Sequence, residues 1–184
     1  MHIETTGLEG LLLIRPTVFA DHRGYFFESF NAGRFRKDTG VNTAFVQDNE
    51  SRSDRGVLRG LHFQLPPHAQ AKLVRVVKGA VLDVCVDIRP DSPTYGQHFK
   101  AVLDGENKHM LYIPEGFAHG FHTLEDGTIF AYKCTAYYDK ASERCIRWDD
   151  PALNIEWGAQ DPVLSEKDLL GVPFDLNPWP KAHV

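Results

Sequence analysis

The chain has 184 residues, of which 42% are hydrophobic and 24% are charged, and its formal net charge is −5. This composition predicts one globular domain over residues 1–184 that buries about 70% of the surface its unfolded form exposes. The excess of acidic residues excludes a general basic field that would attract nucleic acid or an anionic membrane. An anionic ligand would therefore have to be bound by local arginines and lysines.

The three cysteines, Cys85, Cys134 and Cys145, are an odd number without close spacing. This pattern argues against a disulfide framework or a structural zinc site. No apolar run is long enough to span a membrane, and residues 1–10 lack the basic start and apolar stretch of a signal peptide. We therefore expect a cytoplasmic protein with reduced thiols and no membrane partner.

Short strands separated by turns dominate the chain. The strand candidates are residues 11–19, 25–30, 43–49, 57–63, 72–77, 81–88, 97–103, 110–113, 120–124, 128–135 and 144–147. So many short strands predict an all-β sandwich or barrel. In VLDVCVDI, residues 81–88, apolar side chains alternate with Asp83, Cys85 and Asp87, which predicts a half-buried strand.

Helical signals are sparse. Residues 31–39 form a candidate helix with Asn31 as its N-cap and Gly40 as its stop. Residues 165–170 begin with a capping-box pattern made by Ser165 and Asp168. The proline-rich residues 172–184 predict an irregular tail.

The segment VLRGLHFQLPPHAQAKLVRVVK, residues 57–78, sets Arg59, His62 and Lys72 into strand-patterned sequence. Histidine titrates near neutral pH, which suits proton transfer, although a lone histidine is often structural. Lys72 is surrounded by apolar residues, so its side chain must either reach solvent or face a cavity that holds an anion. Strict alternation puts Arg59 and His62 on opposite faces, so either Gly60 marks a bulge or Arg59 acts from the rim of the strand.

Several ordered motifs carry a family resemblance. They are RPTVFADHRGYFFESF from residue 15, FVQDNESRSDRGVLRGLHFQ from residue 45, the segment 57–78, IPEGFAHGF from residue 113, YKCTAYYD from residue 132, and RWDDPAL and LSEKD near the end. In IPEGFAHGF, Pro114, Gly116 and His119 have the spacing P-x-G-x-x-H. Over residues 11–168 the chain resembles the cupin superfamily, and more closely the dTDP-4-dehydrorhamnose 3,5-epimerases.

The resemblance implies a double-stranded β-helix, that is, a cupin-like jelly-roll barrel with a few short helices. It also implies epimerisation of dTDP-4-dehydro-6-deoxy-D-glucose at C3 and C5, without a cofactor, in dTDP-L-rhamnose biosynthesis. His62 would be the base, Asp168 its partner, Lys72 the stabiliser of the enolate and Tyr132 the proton donor. Asp168 could instead simply cap its helix, and Tyr132 could be a buried aromatic residue with its hydroxyl tied to the backbone.

The resemblance also implies a substrate-binding set: Arg23, Glu28, Gln47, Asn49, Arg59, Lys72, His119, Tyr138, Glu143 and Lys167. Arginines suit the diphosphate because they donate in pairs, and Tyr138 is suited to stack on thymine. Family members are homodimers whose N-terminal strands cross to the partner, so Arg23 and Glu28 would complete the other subunit's site. Arg23 alone could equally be an ordinary surface arginine.

A metal centre is not expected. A cupin metal site usually takes two histidines and a carboxylate from its first motif and one histidine from its second. This chain offers His62, then Gln64 where a second histidine would stand, and His119, while His68 and His122 lie at other spacings. Two alternatives to the double epimerase remain open: an epimerase acting at C3 or C5 only, and a metal-dependent cupin oxygenase or non-catalytic sugar-binding module.

Overall fold

The computed structural model describes residues 1–180. Within them the strands are β1 His2–Thr5, β2 Leu12–Arg15, β3 Phe19–Asp21, β4 Gly24–Phe26, β5 Gln47–Ser53, β6 Leu58–Gln64, β7 Lys72–Lys78, β8 Ala80–Asp87, β9 His98–Asp104, β10 Met110–Ile113, β11 Phe117–Thr123, β12 Thr128–Cys134 and β13 Glu143–Cys145. The helices are α1 Ala32–Thr39, α2 Glu166–Leu169 and a 3₁₀ helix, Phe174–Leu176. The prediction of an all-β protein with a few short helices is confirmed.

Two antiparallel sheets carry the fold. The first sheet has the strand order β1-β2-β10-β7-β12-β5, and the second has the order β13-β6-β11-β8-β9. β3 and β4 form a separate hairpin. Apolar residues of both sheets, among them Val74, Phe130, Leu103 and Phe121, form one buried cluster between them. Neither α1 nor α2 is long and apolar enough to span a membrane, within residues 1–180.

The prediction that residues 81–88 are half-buried is wrong, because both faces of β8 are covered. Cys85 belongs to the cluster between the sheets, whereas Val84 and Val86 pack under the C-terminal segment with Trp157 and Phe174. The two aspartates of this strand are fully buried but paired, Asp83 with His119 and Asp87 with Arg89. A polar side chain can take an inward position when a partner satisfies its hydrogen bonds.

The short-range helix signals are confirmed. Asn31 accepts a hydrogen bond from the backbone of Arg34, and Gly40 ends α1 in the left-handed conformation. Ser165 and Asp168 form the reciprocal capping box of α2. The prediction of an irregular tail is only partly right, because the 3₁₀ helix forms there and buries Phe174. Residues 181–184 lie outside the described residues.

A bulge at Gly60 settles which faces Arg59 and His62 occupy. His119 of β11 lies opposite His62, and Phe121 lies opposite Arg59, so two steps along β11 match three steps along β6. Gly60 has φ +130°, and a Cβ there would lie 2.5 Å from the Cα of Gly120. The extra residue in β6 changes the alternation, so Arg59 and His62 both line one cavity.

Candidate active site

The two sheets enclose a cavity of about 210 Å³. The first sheet contributes β5, β7 and β12, and the second contributes β6, β11 and β13. The polar side chains lining the cavity are Gln47, Asn49, Ser51, Arg59, His62, Gln64, Gln70, Lys72, His119, Tyr132, Tyr138, Glu143, Ser165 and Asp168. Every residue predicted to be catalytic therefore lies in one place, although the four come from distant parts of the chain.

His62 is joined to Asp168 at the start of α2. Its Nε2 lies 2.7 Å from Oδ1 of Asp168, and the same oxygen accepts a hydrogen bond of 3.0 Å from the backbone N–H of Gly60. The other oxygen, Oδ2, accepts a 2.5 Å hydrogen bond from the hydroxyl of Ser165. Asp168 therefore caps α2 and contacts His62 at once, so both of the roles considered for it are present in the geometry.

The electrostatics of this pair orient the imidazole. Burial alone would raise the pKa of Asp168, but hydrogen bonds from His62, Ser165 and Gly60 outweigh burial and hold its pKa well below the usual range. An ionised carboxylate only accepts hydrogen bonds, so Nε2 of His62 carries the proton and donates it. Nδ1, which has no hydrogen-bond partner within residues 1–180, is left as the basic nitrogen.

Lys72 and Tyr132 lie on the opposite wall, in adjacent strands of the first sheet. Burial lowers the pKa of Lys72, while the carboxylates of Asp83 and Glu143 oppose that shift. Burial also raises the pKa of Tyr132, and the nearby Arg59 opposes it. The phenol of Tyr132 and the amine of Lys72 thus face the imidazole of His62 across the cavity.

His119 is held by a second carboxylate. Nε2 of His119 lies 3.0 and 2.9 Å from the two oxygens of Asp83, which is fully buried. His119 lies opposite His62 in the β6–β11 ladder, so the two histidines are neighbours on one wall. Sequence reasoning missed Asp83 because it predicted that only the apolar face of β8 is buried, whereas both faces are covered.

The mouth of the cavity is polar. Arg59 donates to Ser53 over 3.2 Å, and Gln47 donates to Asn49 over 3.0 Å. Tyr138 is exposed and donates its hydroxyl to Glu143, whose other oxygen pairs with Lys167. Lys167 therefore does not line the cavity itself but is held at its rim by the ion pair with Glu143.

Two predicted residues lie outside this cavity. Arg23 is at the tip of the β3–β4 hairpin, with 78% of its side chain exposed, and pairs with Asp21. Glu28 lies 3.5 Å from Arg34 of α1. The cavity of a single chain thus assembles without them.

Comparisons with known proteins identify the family. A family model described as dTDP-4-dehydrorhamnose 3,5-epimerase matches residues 5–175. The chain belongs to the dTDP-4-dehydrorhamnose 3,5-epimerase family. A curated family relative from Shigella flexneri is 52% identical over 174 residues, which cover 95% of this chain and 96% of the relative.

Solved structures agree with this assignment. The chain is similar to the dTDP-6-deoxy-D-glucose-3,5-epimerase of Legionella pneumophila, solved in complex with dTDP-4-keto-L-rhamnose, with 46% identity, a TM-score of 0.94 and coverage of 100% and 99% of the two chains. It is also similar to a 3'-monoepimerase of Streptomyces bikiniensis, with 34% identity, a TM-score of 0.86 and coverage of 92% and 86%. The close match to the Legionella epimerase confirms the predicted jelly-roll fold.

Gln64 shows how this epimerase-family chain differs from a metal-binding cupin. Its amide nitrogen donates to the backbone oxygens of His68 and Tyr137, and its amide oxygen accepts from the backbone N–H of Asp139. The side chain thus braces the loops that carry Tyr138. Within residues 1–180, the groups of histidine, cysteine and carboxylate side chains close enough to hold a metal are His62–Cys145–Asp168 and Asp83–Cys85–His119.

Asp168→Asn should reduce stability in a pH-dependent way. Because the folded pKa of Asp168 is depressed, its carboxylate stabilises the fold above its unfolded pKa of about 3.9, and this stabilisation is lost as the pH falls further. We expect wild type to exceed the variant by about 1–3 kcal/mol in free energy of unfolding at neutral pH, with the gap narrowing towards pH 3. Urea denaturation across this range measures the gap.

The matched control for that prediction is Asp149→Asn, which removes an exposed carboxylate paired with Arg147. This exposed pair should contribute less than about 1 kcal/mol to the free energy of unfolding. A gap for Asp168→Asn that stays constant from neutral pH to pH 3 would contradict the depressed pKa.

Proposed function

We propose that the chain epimerises dTDP-4-dehydro-6-deoxy-D-glucose at C3 and C5, giving dTDP-4-dehydro-L-rhamnose for dTDP-L-rhamnose biosynthesis. One observation carries the proposal: in a chain of this family, the His62–Asp168 pair and Tyr132 face each other from opposite walls of one cavity. Inverting a carbon requires a base on one face and an acid on the other.

The chemistry is proton transfer next to a ketone. The C4 carbonyl acidifies the hydrogens on C3 and C5, so Nδ1 of His62 can remove one and leave an enolate. Asp168 stabilises the imidazolium that forms, and Lys72 supplies positive charge to the enolate oxygen. Tyr132 then protonates the carbon from the opposite face. Carbon is neither oxidised nor reduced overall, so the reaction calls for no redox cofactor.

The mouth of the cavity suits the nucleotide. We assign the diphosphate to Arg59, with Lys167 as a further cation, and the thymine to the exposed ring of Tyr138. Gln47, Asn49, Glu143 and His119 line the cavity, and we assign them to contacts with the nucleotide and the sugar. Arg59 and Lys167 provide local positive charge on a protein whose net charge is −5.

We also propose a homodimer in which the β3–β4 hairpin completes the partner's site with Arg23 and Glu28. The hairpin exposes Phe19, Tyr25 and Phe26, each with more than half of its surface accessible. Exposed aromatic patches of this kind favour an interface. The three free cysteines support a reducing, cytoplasmic location.

A single-site epimerase is the second candidate, because a 3'-monoepimerase shares the fold. It would use the same base and acid but seat the sugar differently. An oxygenase is disfavoured, since the amide of Gln64, at the usual ligand position, is bonded to three backbone groups.

His62→Asn should abolish proton exchange while leaving dTDP affinity within about twofold, because the imidazole acts on the ring and not on the nucleotide. The measurement follows deuterium at C3 and C5 by NMR in D₂O, with the chelator-treated protein and its substrate. Wild type should label both carbons, whereas labelling at one carbon would select the single-site epimerase. His68→Asn, an exposed histidine outside the cavity, is the control and should exchange normally; normal exchange by His62→Asn would refute the proposed base.

Tyr132→Phe should separate exchange from inversion. His62 and Lys72 can still form the enolate and return a proton to the face it left, so deuterium enters while inversion falls by about 100-fold or more. Trapping the L-lyxo product with a reductase measures the rate of inversion. NMR of the recovered substrate measures the rate of exchange. Equal loss of exchange and inversion would argue against Tyr132 as the donor on the far face.

Arg23→Ala and His62→Asn should complement each other in a mixed dimer. If the hairpin serves the partner, a heterodimer purified through two tags has one complete site and about half of the wild-type rate per dimer. Each variant homodimer should remain impaired. A heterodimer no more active than the Arg23→Ala homodimer would instead put Arg23 in its own chain's site.

A further inference from the structure

A thiol lies beside the proposed base and has no part in the mechanism. β13 runs antiparallel to β6 with Cys145 opposite His62. The ligand atoms of His62, Cys145 and Asp168 all lie within 4.8 Å of one another. Imidazole, thiolate and carboxylate are the three side-chain ligands that Zn²⁺ takes in proteins.

We propose that His62, Cys145 and Asp168 form a binding site for a thiophilic divalent cation such as Zn²⁺ or Cd²⁺, and that the bound cation inhibits the enzyme. The inhibition rests on the epimerase function proposed above, whereas the binding does not. Such a cation would be an inhibitor and not a catalytic cofactor.

The spacing requires only a small adjustment. A tetrahedral Zn²⁺ separates its nitrogen and oxygen ligands by about 3.3 Å, and Nε2 of His62 lies 2.7 Å from Oδ1 of Asp168. The pair must therefore open by roughly half an ångström. His62 borders the cavity with 22% of its side chain exposed, so its ring has room to move, and water can occupy the fourth position.

Binding disables the base through a balanced proton shift. The metal takes the lone pair of the Cys145 thiolate, whose proton goes to solvent. It also takes Nε2 of His62, and the proton on Nε2 moves to Nδ1 to keep the imidazole neutral. Nδ1 then carries a hydrogen where the proposed mechanism needs a lone pair. Asp168 binds the metal and no longer accepts a hydrogen bond from His62.

The surroundings favour a metal over other thiol chemistry. Burial and the charge of Asp168 raise the pKa of Cys145 to about 12, so the thiol is protonated at neutral pH and reacts slowly with alkylating agents. A cation can displace that proton because its positive charge, bound between the thiolate and the Asp168 carboxylate, offsets the repulsion between these two anions. The nearby ammonium of Lys167, which would repel a cation, is paired with Glu143.

The other potential ligand group within residues 1–180, Asp83–Cys85–His119, supplies an internal control. Its side chains are 0%, 0% and 6% exposed, and both oxygens of Asp83 already contact His119. His119 lines the cavity, but Asp83 and Cys85 are fully buried. The His62–Cys145–Asp168 site borders the cavity through His62 and Asp168, and it is the more accessible of the two because His62 and Cys145 are partly exposed.

The test titrates Cd²⁺ into chelator-treated protein near neutral pH and records the ultraviolet sulfur-to-cadmium absorption together with the proton-exchange rate. Wild type should gain the band and lose exchange in parallel, and a chelator should reverse both. Cys145→Ala should lose the band and need at least about tenfold more Cd²⁺ for half-inhibition, since even outer-shell changes cost 10–100-fold in metal affinity. Cys85→Ala and Cys134→Ala should keep the band.

Two results would overturn the proposal: a wild-type protein without the band, or a band that persists in Cys145→Ala and disappears in Cys85→Ala or Cys134→Ala. The absorption does not depend on turnover. A protein that binds Cd²⁺ through Cys145 but exchanges no sugar hydrogens would therefore refute the epimerase function while leaving the metal site intact.

Discussion

The carboxylate of Asp168 joins two parts of the chain that are distant in sequence, strand β6 and the start of α2. One oxygen accepts from the bulge at Gly60 and from His62, and the other accepts from Ser165 at the start of α2. A buried carboxylate is costly unless such donors surround it, and here each of its oxygens has them. The same interaction thus docks α2 on the second sheet, holds the bulge and selects the imidazole tautomer. Removing it would disturb the fold and the site together.

The bulge makes that carboxylate's position possible. In a regular ladder the N–H of Gly60 would point at a neighbouring strand, but the extra residue in β6 leaves it free to donate to Asp168. The backbones of β6 and β11 approach so closely at this point that a Cβ on Gly120 would lie 2.6 Å from the backbone oxygen of Arg59. Two glycines facing each other across the ladder therefore permit the irregularity that brings Arg59 and His62 into one cavity.

Sequence reasoning succeeded where the controlling interactions are local or the motif is ordered. The caps at Asn31 and Ser165 act within a few residues, and the ordered motifs around His62 and His119 indicated the family and the fold. It failed where a long-range partner decides burial. Nothing within β8 shows that Asp83 faces inward, because its partner His119 is 36 residues away and the cover over Val84 comes from the C-terminal segment. The choice between bulge and rim at Gly60 likewise depended on β11, a strand distant in sequence.

The two histidine–carboxylate pairs differ in what surrounds them, and this difference supports the roles proposed for them. Asp83 gives both oxygens to His119 and is sealed in the core, an arrangement that fixes His119 as part of the wall. Asp168 shares its oxygens among donors from three residues, and its histidine borders the cavity with Nδ1 unpaired within residues 1–180. A base must accept and release a proton in each cycle, so it needs a free nitrogen and a partner whose other bonds keep it in place when the imidazole becomes charged. The His62–Asp168 pair meets both conditions.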